Sequence, residues 1–503
     1  MKKTYRYLLP VLLFVLLNCN SSNPPTEIEK EQTWASAQEI NARLSKGINI
    51  GNTFEAMQSW QAPFDPADLK RIADLGFNHV RIPIRWERDD RSMSKAPYTI
   101  RTDFMKTIKS VVDEALKNKL HVIINMHHHD ALMANPTGEK PRFLSQWEQI
   151  SDFFKDYPDS LLFEIQNEPH DKLTPDLWND YANEALKVIR KTNPKRSVLI
   201  GTAEWGGVGG LKSLIIPNDT HLILTIHYYN PFQFTHQGAS WAQGSEAWLG
   251  TKWQDTEFER QAIVEDFKAA VKLSKEKNIP VHIGEFGAYS RADIDSRVKW
   301  TRFLSRWFEQ QNFSWAYWEW NSGFGIYDPG NKQINQRLAD ALIKDELPAA
   351  YVPNYLSIYS SNFSNGQNDG WFLTNNDASA QSTMSIANNK ATFSITKPGT
   401  AEWHIQFIKS GLNIEQGKTY RLRFNAYSPD SDSRIISVNL SKDSDPWTNY
   451  GGKSVSIDKA DTQYNLVFTS AYTDLQSRIV FSIGNAGNSG VVLSNIQLME
   501  VKF

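Results

Sequence analysis

Residues 65–83 read DPADLKRIADLGFNHVRIP and form one complete helix-to-strand unit. Asp65 can cap a helix whose apolar side chains recur at one-face spacing, and Gly76 ends that helix. The run that starts at Val80 then predicts a short buried strand, which Pro83 prevents from continuing. A helix that leads into a buried strand is the repeating unit of a parallel α/β fold.

The same alternation continues on both sides of this unit, from Gly47 to Trp320. Eight strands are predicted, and they begin at Gly47, Val80, Leu120, Leu162, Val198, Leu222, Val281 and Ser314. Helices lie between most of them, and the whole stretch is close to the ~250 residues of a typical (β/α)8 barrel. We therefore predict an α/β fold, a (β/α)8 TIM barrel, for residues 36–348.

The alternation of predicted helices and strands ends after about Leu347. Pro348 and Pro353 precede a region rich in Ser, Asn and Thr in which apolar and polar residues alternate, as in YRLRF at residues 420–424. Such alternation is typical of antiparallel strands with one buried face. We predict a separate all-β sandwich, jelly-roll-like, for residues 349–503.

The N-terminus has the features of an export signal. Basic residues precede an apolar run over residues 8–17, which is too short to span a bilayer. Cys19 follows, in an arrangement that resembles the lipobox of bacterial lipoproteins. We predict a signal peptide over residues 1–19 and a polar tether over residues 20–35. The expected location is the bacterial outer membrane or cell surface, through a lipid on Cys19; the alternative is a plain secretory signal and a periplasmic or secreted protein.

Composition narrows the classes of function. The 54 Lys and Arg residues against 56 Asp and Glu residues give a formal net charge of −2, which excludes a generally basic nucleic-acid binder. The single cysteine excludes an internal disulfide. The 17 Trp, 18 Tyr and 26 Phe residues exceed what a core needs, and such a content is common in proteins that stack sugars on flat rings.

Two carboxylates come directly after apolar strands, Glu168 after the fourth and Glu285 after the seventh. In a TIM barrel the carboxyl ends of the strands meet at one mouth, where catalytic groups lie. Burial and neighbouring charges can shift the pKa of a carboxyl group in such a place. The pair suits glycoside hydrolysis, in which one carboxyl group acts as acid and base while the other attacks the anomeric carbon or activates water.

Four motifs, spread over the predicted strands, carry a resemblance to a known family. They are FNHVRIP at 77–83, FEIQNEP at 163–169, HYY at 227–229 and IGEFG at 283–287. In this order they resemble glycoside hydrolase family 5, over roughly Gly47 to Leu342. The stretches at 201–207 and 230–238 resemble the branch of that family that includes bacterial endoglucanases also acting on glucomannan and mannan.

The resemblance implies a retaining double displacement with Glu168 as acid/base and Glu285 as nucleophile. Arg81 would keep Glu285 ionised through charge-assisted hydrogen bonds, and Tyr229 would donate to it. Asn167 is placed to bond the sugar 2-OH.

Other side chains would position the carboxylates and the sugar. His127 and His227 are expected beside the two glutamates, and Trp318 is expected to form the floor under the sugar being cleaved. Candidates for binding neighbouring sugars are Asn52, Glu55, His128, Trp205, His236 and Trp241. Trp300, Phe303, Trp307 and Phe308 lie at helical spacing and are predicted to belong to the core.

Residues 127–130 read HHHD, residue types that can bind zinc. Successive side chains on a strand point to opposite sides, so three adjacent histidines cannot converge without a sharp turn. We therefore predict no catalytic metal and no cofactor.

The C-terminal region resembles, over residues 400–426, the β-sandwich carbohydrate-binding modules that accompany plant-wall hydrolases. Its candidate sugar platforms are Trp371, Trp403, Trp447 and Tyr450. The alternative for each Trp is a place in the sandwich core. Structural calcium is common in such modules, but no decisive run of ligands is present here.

The sequence thus predicts an endo-β-1,4-glycanase that cleaves cellulose-type glucans, mixed-linkage β-glucan and glucomannan or mannan. We expect a monomer whose partner is a β-linked polysaccharide, with no nucleic acid and with membrane contact only through the lipid anchor. Three alternatives stay open: mannan or xyloglucan as the main substrate, a transglycosylase with the same residues, and a non-catalytic glycan-binding lipoprotein. The presence of both Glu168 and Glu285 disfavours the last.

Overall fold

The computed structural model describes residues 34–431 and 433–503. The predicted signal peptide, Cys19 and the predicted tether up to residue 33 lie outside the described residues. Trp34 and Ala35, which the sequence assigns to the tether, pack on the barrel. The Arg196 guanidinium lies 5.1 Å from the centre of the Trp34 ring, and the Ala35 N–H donates to Asp159 Oδ2 over 3.3 Å.

The N-terminal region forms a closed barrel of parallel strands in chain order. The strands are β1 (Lys46–Asn49), β2 (His79–Ile82), β3 (His121–Asn125), β4 (Leu161–Glu164), β5 (Val198–Gly201), β6 (Leu222–His227), β7 (Val281–Phe286) and β8 (Ser314–Tyr317). β1 pairs with both β2 and β8, which closes the barrel. Every strand starts within one residue of its predicted start, and the TIM-barrel prediction is confirmed.

Helices precede, connect and follow the strands of the barrel. They are α1 (Ala37–Leu44), α2 (Ala67–Leu75), α3 (Thr102–Lys117), α4 (Asp130–Ala134), α5 (Pro136–Phe153), α6 (Pro175–Arg190), α7 (Phe232–Thr235), α8 (Glu257–Asp266), α9 (Lys268–Lys277), α10 (Ile294–Gln310) and α11 (Gln336–Ile343). α2 begins where Asp65 Oδ1 accepts the Ala67 N–H over 2.9 Å. It ends at Gly76, whose φ of 100° is a left-handed conformation that favours glycine. α10 buries Trp300, Phe303, Trp307 and Phe308, as predicted.

A small hairpin, β9 (Tyr327–Asp328) with β10 (Gln333–Ile334), follows β8. The C-terminal strands are β11 (Asn354–Ser361), β12 (Phe372–Asn375), β13 (Ala380–Ala387), β14 (Lys390–Pro398), β15 (Ile405–Ile414), β16 (Thr419–Tyr427), β17 (Arg434–Lys442), β18 (Asn449–Ile457), β19 (Thr462–Thr469), β20 (Asp474–Ser482) and β21 (Val491–Lys502). They form two antiparallel sheets. One has the order β13-β14-β21-β16-β19 with β11 beside β21, and the other has the order β12-β15-β20-β17-β18. This confirms the predicted all-β domain.

The segment between the two domains is tied to the barrel. Arg260 on α8 donates to the Pro348 carbonyl over 3.0 Å, and the Tyr351 N–H donates to the Asp255 carbonyl over 2.8 Å. The first strand of the sandwich begins three residues after Tyr351. Among residues 34–431 and 433–503, no helix has both the length and the hydrophobicity that crossing a membrane requires.

Candidate active site

The mouth of the barrel contains a buried arginine that four neighbouring polar side chains contact. Arg81 on β2 has no exposed surface. Its Nη1 donates to Glu285 Oε1 over 2.7 Å and to Asn49 Oδ1 over 2.8 Å. Its Nη2 donates to Asn167 Oδ1 over 2.7 Å. The remaining two N–H groups go to Glu164 at the end of β4, over 2.6 and 2.7 Å.

The two glutamates that the sequence singles out meet on either side of His227. His227 Nδ1 lies 2.7 Å from Glu168 Oε1 and 3.7 Å from Glu285 Oε2. One atom from each of the three side chains can be chosen so that all three lie within 4.8 Å of one another. The barrel therefore brings together two residues that are far apart in the chain, as the sequence predicts.

Charges on these three groups depend on one another. Burial lowers the pKa of His227, but the carboxylates of Glu285 and Glu168 raise it further, and the net result is a raised pKa. Burial raises the pKa of Glu168, but the hydrogen bond and charge of His227 bring it below its usual value. Burial raises the pKa of Glu285, against the opposing effect of His227 and Arg81. One proton is thus held at the His227–Glu168 hydrogen bond.

Tyr229 and Asn167 lie where the sequence predicts them. The Tyr229 hydroxyl donates to Glu285 Oε2 over 2.9 Å. Arg81 and Tyr229 therefore hold one oxygen of Glu285 each. Because the Oδ1 atom of Asn167 accepts from Arg81, the amide NH2 of Asn167 is directed away from the guanidinium and is free to donate to a sugar hydroxyl.

The floor of the cleft is aromatic. The ring of Trp318, directly after β8, stacks on His127 with centroids 5.7 Å apart and an angle of 9°. His127 Nε2 lies 4.0 Å from Glu285 Oε1. His128 packs edge-on against Trp60, 6.3 Å between centroids. Burial lowers the pKa of His128 to about 4, so its imidazole is neutral above that pH.

The three adjacent histidines diverge. His127 faces Glu285, whereas His129 is fully buried and lies between Met126 and Glu139. These residues follow the end of β3 at Asn125, and the ring nitrogens of His127 and His129 have different partners.

Two exposed tryptophans rim the cleft. Trp205 is 57% exposed and stacks on His170 with centroids 3.6 Å apart. Trp241 is 61% exposed and packs edge-on against Tyr289. His236 is instead largely buried, stacked on Phe232 at 4.0 Å.

Glu55 binds the backbone of its own loop and offers no exposed carboxylate to a sugar, so its prediction as a sugar-binding residue needs correction. Its side chain is buried, and its carboxylate oxygens accept the backbone N–H groups of Asn52 and Thr53. Burial raises the pKa of Glu55 to about 7. Asn52 is partly exposed and donates from Nδ2 to Glu319 Oε2 over 3.1 Å. Glu55 and Glu319 therefore hold the loop that carries Asn52, which keeps its place as a sugar-binding candidate.

In the sandwich, two of the four predicted platforms are exposed. Trp403 is 52% exposed and Trp447 is 51% exposed, with the Arg478 guanidinium 4.4 Å from the Trp447 ring centre. Tyr450 is partly buried, and its hydroxyl donates to Asp474 over 2.8 Å. Trp371 is wrong as a platform: it has no exposed surface and stacks on Phe407 in the core, 4.5 Å between centroids.

Neutral polar side chains lie on the outer face of the five-stranded sheet. Gln406, Ser482 and Ser437 form one cross-strand row there. Gln406 Nε2 donates to Ser482 Oγ over 3.3 Å. Glu402, next to Trp403, accepts the Ser437 hydroxyl. In residues 34–431 and 433–503, the only group of three or more His, Cys, Asp or Glu side chains spaced for a metal is the one formed by Glu168, His227 and Glu285 in the barrel. The expected calcium in the sandwich stays a prediction.

These two regions match two family models. Residues 39–323 match the model of the cellulases of glycosyl hydrolase family 5. The chain belongs to glycosyl hydrolase family 5. The C-terminal part of this family 5 chain, residues 356–488, matches a carbohydrate binding domain.

Relatives of this family 5 chain include solved structures. Endoglucanase Cel5A of Thermotoga maritima is 47% identical with a TM-score of 0.60, and the match covers 61% of this chain and 100% of Cel5A. Another structure of Cel5A contains mannotriose. Endoglucanase H of Acetivibrio thermocellus is 35% identical over 344 residues, 67% of this chain and 36% of that protein. The chain thus spans about a third of the length of Endoglucanase H.

One residue that contacts Arg81 in this family 5 site is not among the site residues predicted from the sequence. Glu164 lies four residues before Glu168, is fully buried, and takes two of the five N–H groups of Arg81. A signal was available, because Glu164 is a carboxylate in the otherwise apolar strand Leu-Leu-Phe-Glu of β4. A charge inside a buried strand requires a partner, and Arg81 is the one buried arginine among the family motifs.

Proposed function

We propose that this family 5 chain is a retaining endo-β-1,4-glucanase with Glu168 as acid/base and Glu285 as nucleophile. The observation that carries the proposal is the arrangement of the two glutamates, with carboxylate oxygens within 4.8 Å on either side of His227. Retaining glycosidases have carboxyl groups about 5–5.5 Å apart, and inverting ones about 6.5–9.5 Å apart. The short spacing fits the retaining class.

In the first step, a carboxylate oxygen of Glu285 forms a bond to the anomeric carbon while the bond from that carbon to the leaving oxygen breaks. Glu168 gives its proton to the leaving oxygen. Transfer of one proton from His227 Nδ1 to Glu168 Oε1, across their 2.7 Å hydrogen bond, makes Glu168 the acid and leaves His227 neutral.

In the second step, Glu168 takes a proton from a water molecule, whose oxygen replaces Glu285 on the anomeric carbon. The amide NH2 of Asn167 donates to the sugar 2-OH, a bond that strengthens as positive charge develops on the ring. Arg81 and Tyr229 accommodate the Glu285 carboxylate before and after each cycle.

Endo action is supported by the open cleft. Exposed indole rings flank the glutamates at Trp205 and Trp241, which suits sugars that continue along a chain in both directions. Glucan as the main backbone is supported by the names of the relatives, which are endoglucanases. Glucomannan and mannan are proposed as further substrates, in line with the mannotriose found in Cel5A.

We propose that the sandwich, residues 349–503, binds the same polysaccharide. Trp403 and Trp447 offer flat faces, and the row of Gln406, Ser482 and Ser437 offers neutral hydrogen bonds. A second binding site on one chain raises the effective concentration of polymer at the cleft. We also propose that the protein is exported and lipid-anchored through Cys19, and that it acts as a monomer without a cofactor.

The test compares the wild-type protein with Glu285→Gln on carboxymethylcellulose, mixed-linkage β-glucan, glucomannan and mannan. Reducing ends and viscosity are followed together, because endo cleavage lowers viscosity long before many ends appear. We expect rapid viscosity loss on the glucans and a loss of turnover of at least about 10⁴-fold in the variant, since an amide cannot attack. Equal turnover in both proteins would overturn the mechanism. Wild-type protein that binds all four polymers but cleaves none would favour glycan capture.

A further inference from the structure

Every N–H group of Arg81 donates a hydrogen bond. A guanidinium group carries five N–H donors, and all five are engaged by four partners. Glu164 is the only partner that takes two of them, and it takes the pair on the Nε and Nη2 edge. A bidentate carboxylate fixes the plane of a guanidinium group. Glu164 therefore decides where the other N–H groups of Arg81 point.

The direction of those N–H groups matters for both steps of the reaction. Nη1 holds Glu285 Oε1 and Nη2 holds Asn167 Oδ1, each over 2.7 Å. A rotation of the guanidinium group would move the nucleophile and the amide that faces the sugar 2-OH together.

Glu164 also changes the charge of the site. Arg81 and Glu164 are both fully buried, so their opposite charges partly offset each other at close range with no solvent between them. Arg81 gives Glu285 one directed hydrogen bond and a charge that lowers the pKa of Glu285, and the paired Glu164 carboxylate offsets part of that charge. The remaining cation beside Glu285 is protonated His227, 3.7 Å away.

We propose that Glu164 is a positioning residue that locks Arg81 in place and offsets part of the positive charge that Arg81 presents to Glu285. This inference rests on the proposed function. Removal of the Glu164 charge leaves Arg81 with an uncompensated positive charge, which favours loss of protons from Glu285, Glu168 and His227 alike.

Other ionisable groups face Arg81 and Glu285 from the surrounding elements. They are His79 on β2, His127 after β3, Glu168 after β4, His227 and Tyr229 from β6 and the segment after it, His282 on β7, and Glu55 in the loop after β1. None of them contacts Arg81 through two hydrogen bonds. Glu164 is thus the group whose replacement changes the charge at Arg81 most directly.

The test uses Glu164→Gln, which keeps the shape and removes the charge, and Glu164→Asp as the matched control, which keeps the charge and shortens the side chain. The pH profile of kcat/KM is measured on an aryl β-cellobioside. The rate of covalent trapping at Glu285 is measured with a 2-deoxy-2-fluoro cellobioside that carries a good leaving group, since trapping does not require the acid. Thermal unfolding and circular dichroism establish that each variant is folded.

We expect both limbs of the Glu164→Gln profile, and the pH at which trapping begins, to move to lower pH by about 1 unit. Glu164→Asp should keep the wild-type limbs while kcat falls by about tenfold or more, because Arg81 follows the shortened carboxylate. The proposal would be overturned if Glu164→Gln is folded and both limbs of its pH profile lie at the wild-type pH values. If Glu164→Gln does not fold, an unchanged kcat in Glu164→Asp would overturn it. Absence of hydrolysis by the wild-type protein would instead count against the proposed function.

Discussion

The barrel and the sandwich offer sugars two different kinds of surface. At the barrel mouth, Arg81 and Glu164 have no exposed surface and Glu285 is 5% exposed, so charges are buried and pair with one another. On the sandwich, Trp403 and Trp447 are about half exposed, and the row of Gln406, Ser482 and Ser437 on the same sheet is made of neutral side chains. Breaking a bond requires fixed charges that water does not screen, whereas holding a neutral polymer requires only flat faces and hydrogen bonds. The difference indicates which part reacts and which part holds.

After replacement of the nucleophile, replacement of the acid/base should have the largest effect on turnover, and it should leave the sandwich untouched. Glu168→Ala is expected to lower kcat on polysaccharide by roughly 10²–10⁴-fold, the usual contribution of a positioned acid or base. On an activated aryl cellobioside, azide should restore turnover and yield a β-linked glycosyl azide, identified by NMR. An α-linked azide would indicate inversion and contradict the proposed mechanism.

Removal of the Trp371 ring from the sandwich core should lower the stability of the sandwich alone. Trp371→Ala removes a fully buried side chain and is expected to destabilise the sandwich by about 3–5 kcal/mol. Calorimetry should show one transition moved to lower temperature, while turnover of short cello-oligosaccharides stays at the wild-type rate. A fall in that turnover would mean that the barrel depends on the folded sandwich.

The barrel should also be the part whose stability depends on pH. Burial raises the pKa of Glu319 to about 8, so the folded protein binds more protons there than the unfolded chain between about pH 4.5 and 8. Stability contributed by this group is therefore lost as pH rises through that window. Glu319→Gln stays neutral, so the stability of this variant relative to the wild type should rise between pH 5 and pH 9 by on the order of 4 kcal/mol.

Calorimetric scans at both pH values check this expectation. The gain should be confined to the barrel transition, and the sandwich transition serves as the internal control. An equal stability difference at pH 5 and pH 9 would show that Glu319 is ionised throughout.

The smallest effect is expected on the outer face of the sandwich. Trp403→Ala and Trp447→Ala should each weaken binding to soluble β-glucan by about tenfold, which corresponds to about 1.4 kcal/mol. The affinity is measured by how much β-glucan in a native gel slows each variant. All variants also carry Glu285→Gln, so that the glucan stays intact. Leu356→Ala, an exposed position on the other sheet, is the matched control. If β-glucan slows all three variants equally, neither Trp403 nor Trp447 belongs to the binding face.

Barrel geometry explains why much of this site could be predicted from the sequence. Local signals, such as the cap at Asp65 and the turn at Gly76, mark where helices and strands alternate, and closure then brings the strand ends together. Glu168 and Glu285 were therefore predictable as a pair. Glu164 gives a weaker signal: a carboxylate in an apolar strand indicates a buried partner, but which partner depends on which side of β4 faces the barrel axis.

The sandwich is less predictable from its sequence for a related reason. Trp371 and Trp403 both lie near alternating runs, yet one is fully buried and the other half exposed. Alternation shows that a strand has two faces but leaves open which face is inward, because that depends on pairing with distant strands. Trp371 faces inward because its ring fills the space against Phe407.

The saturated guanidinium group has a consequence for how this protein can change. Each acceptor of Arg81 is matched to one of its donors, so the loss of any acceptor leaves a buried N–H group without a partner. Asn49, Glu164 and Asn167 are consequently not independent positions. A second replacement among them removes less than the first, because the network has already lost its geometry. Such positions are subject to strong epistasis, because the effect of altering one of them depends on whether the others are intact.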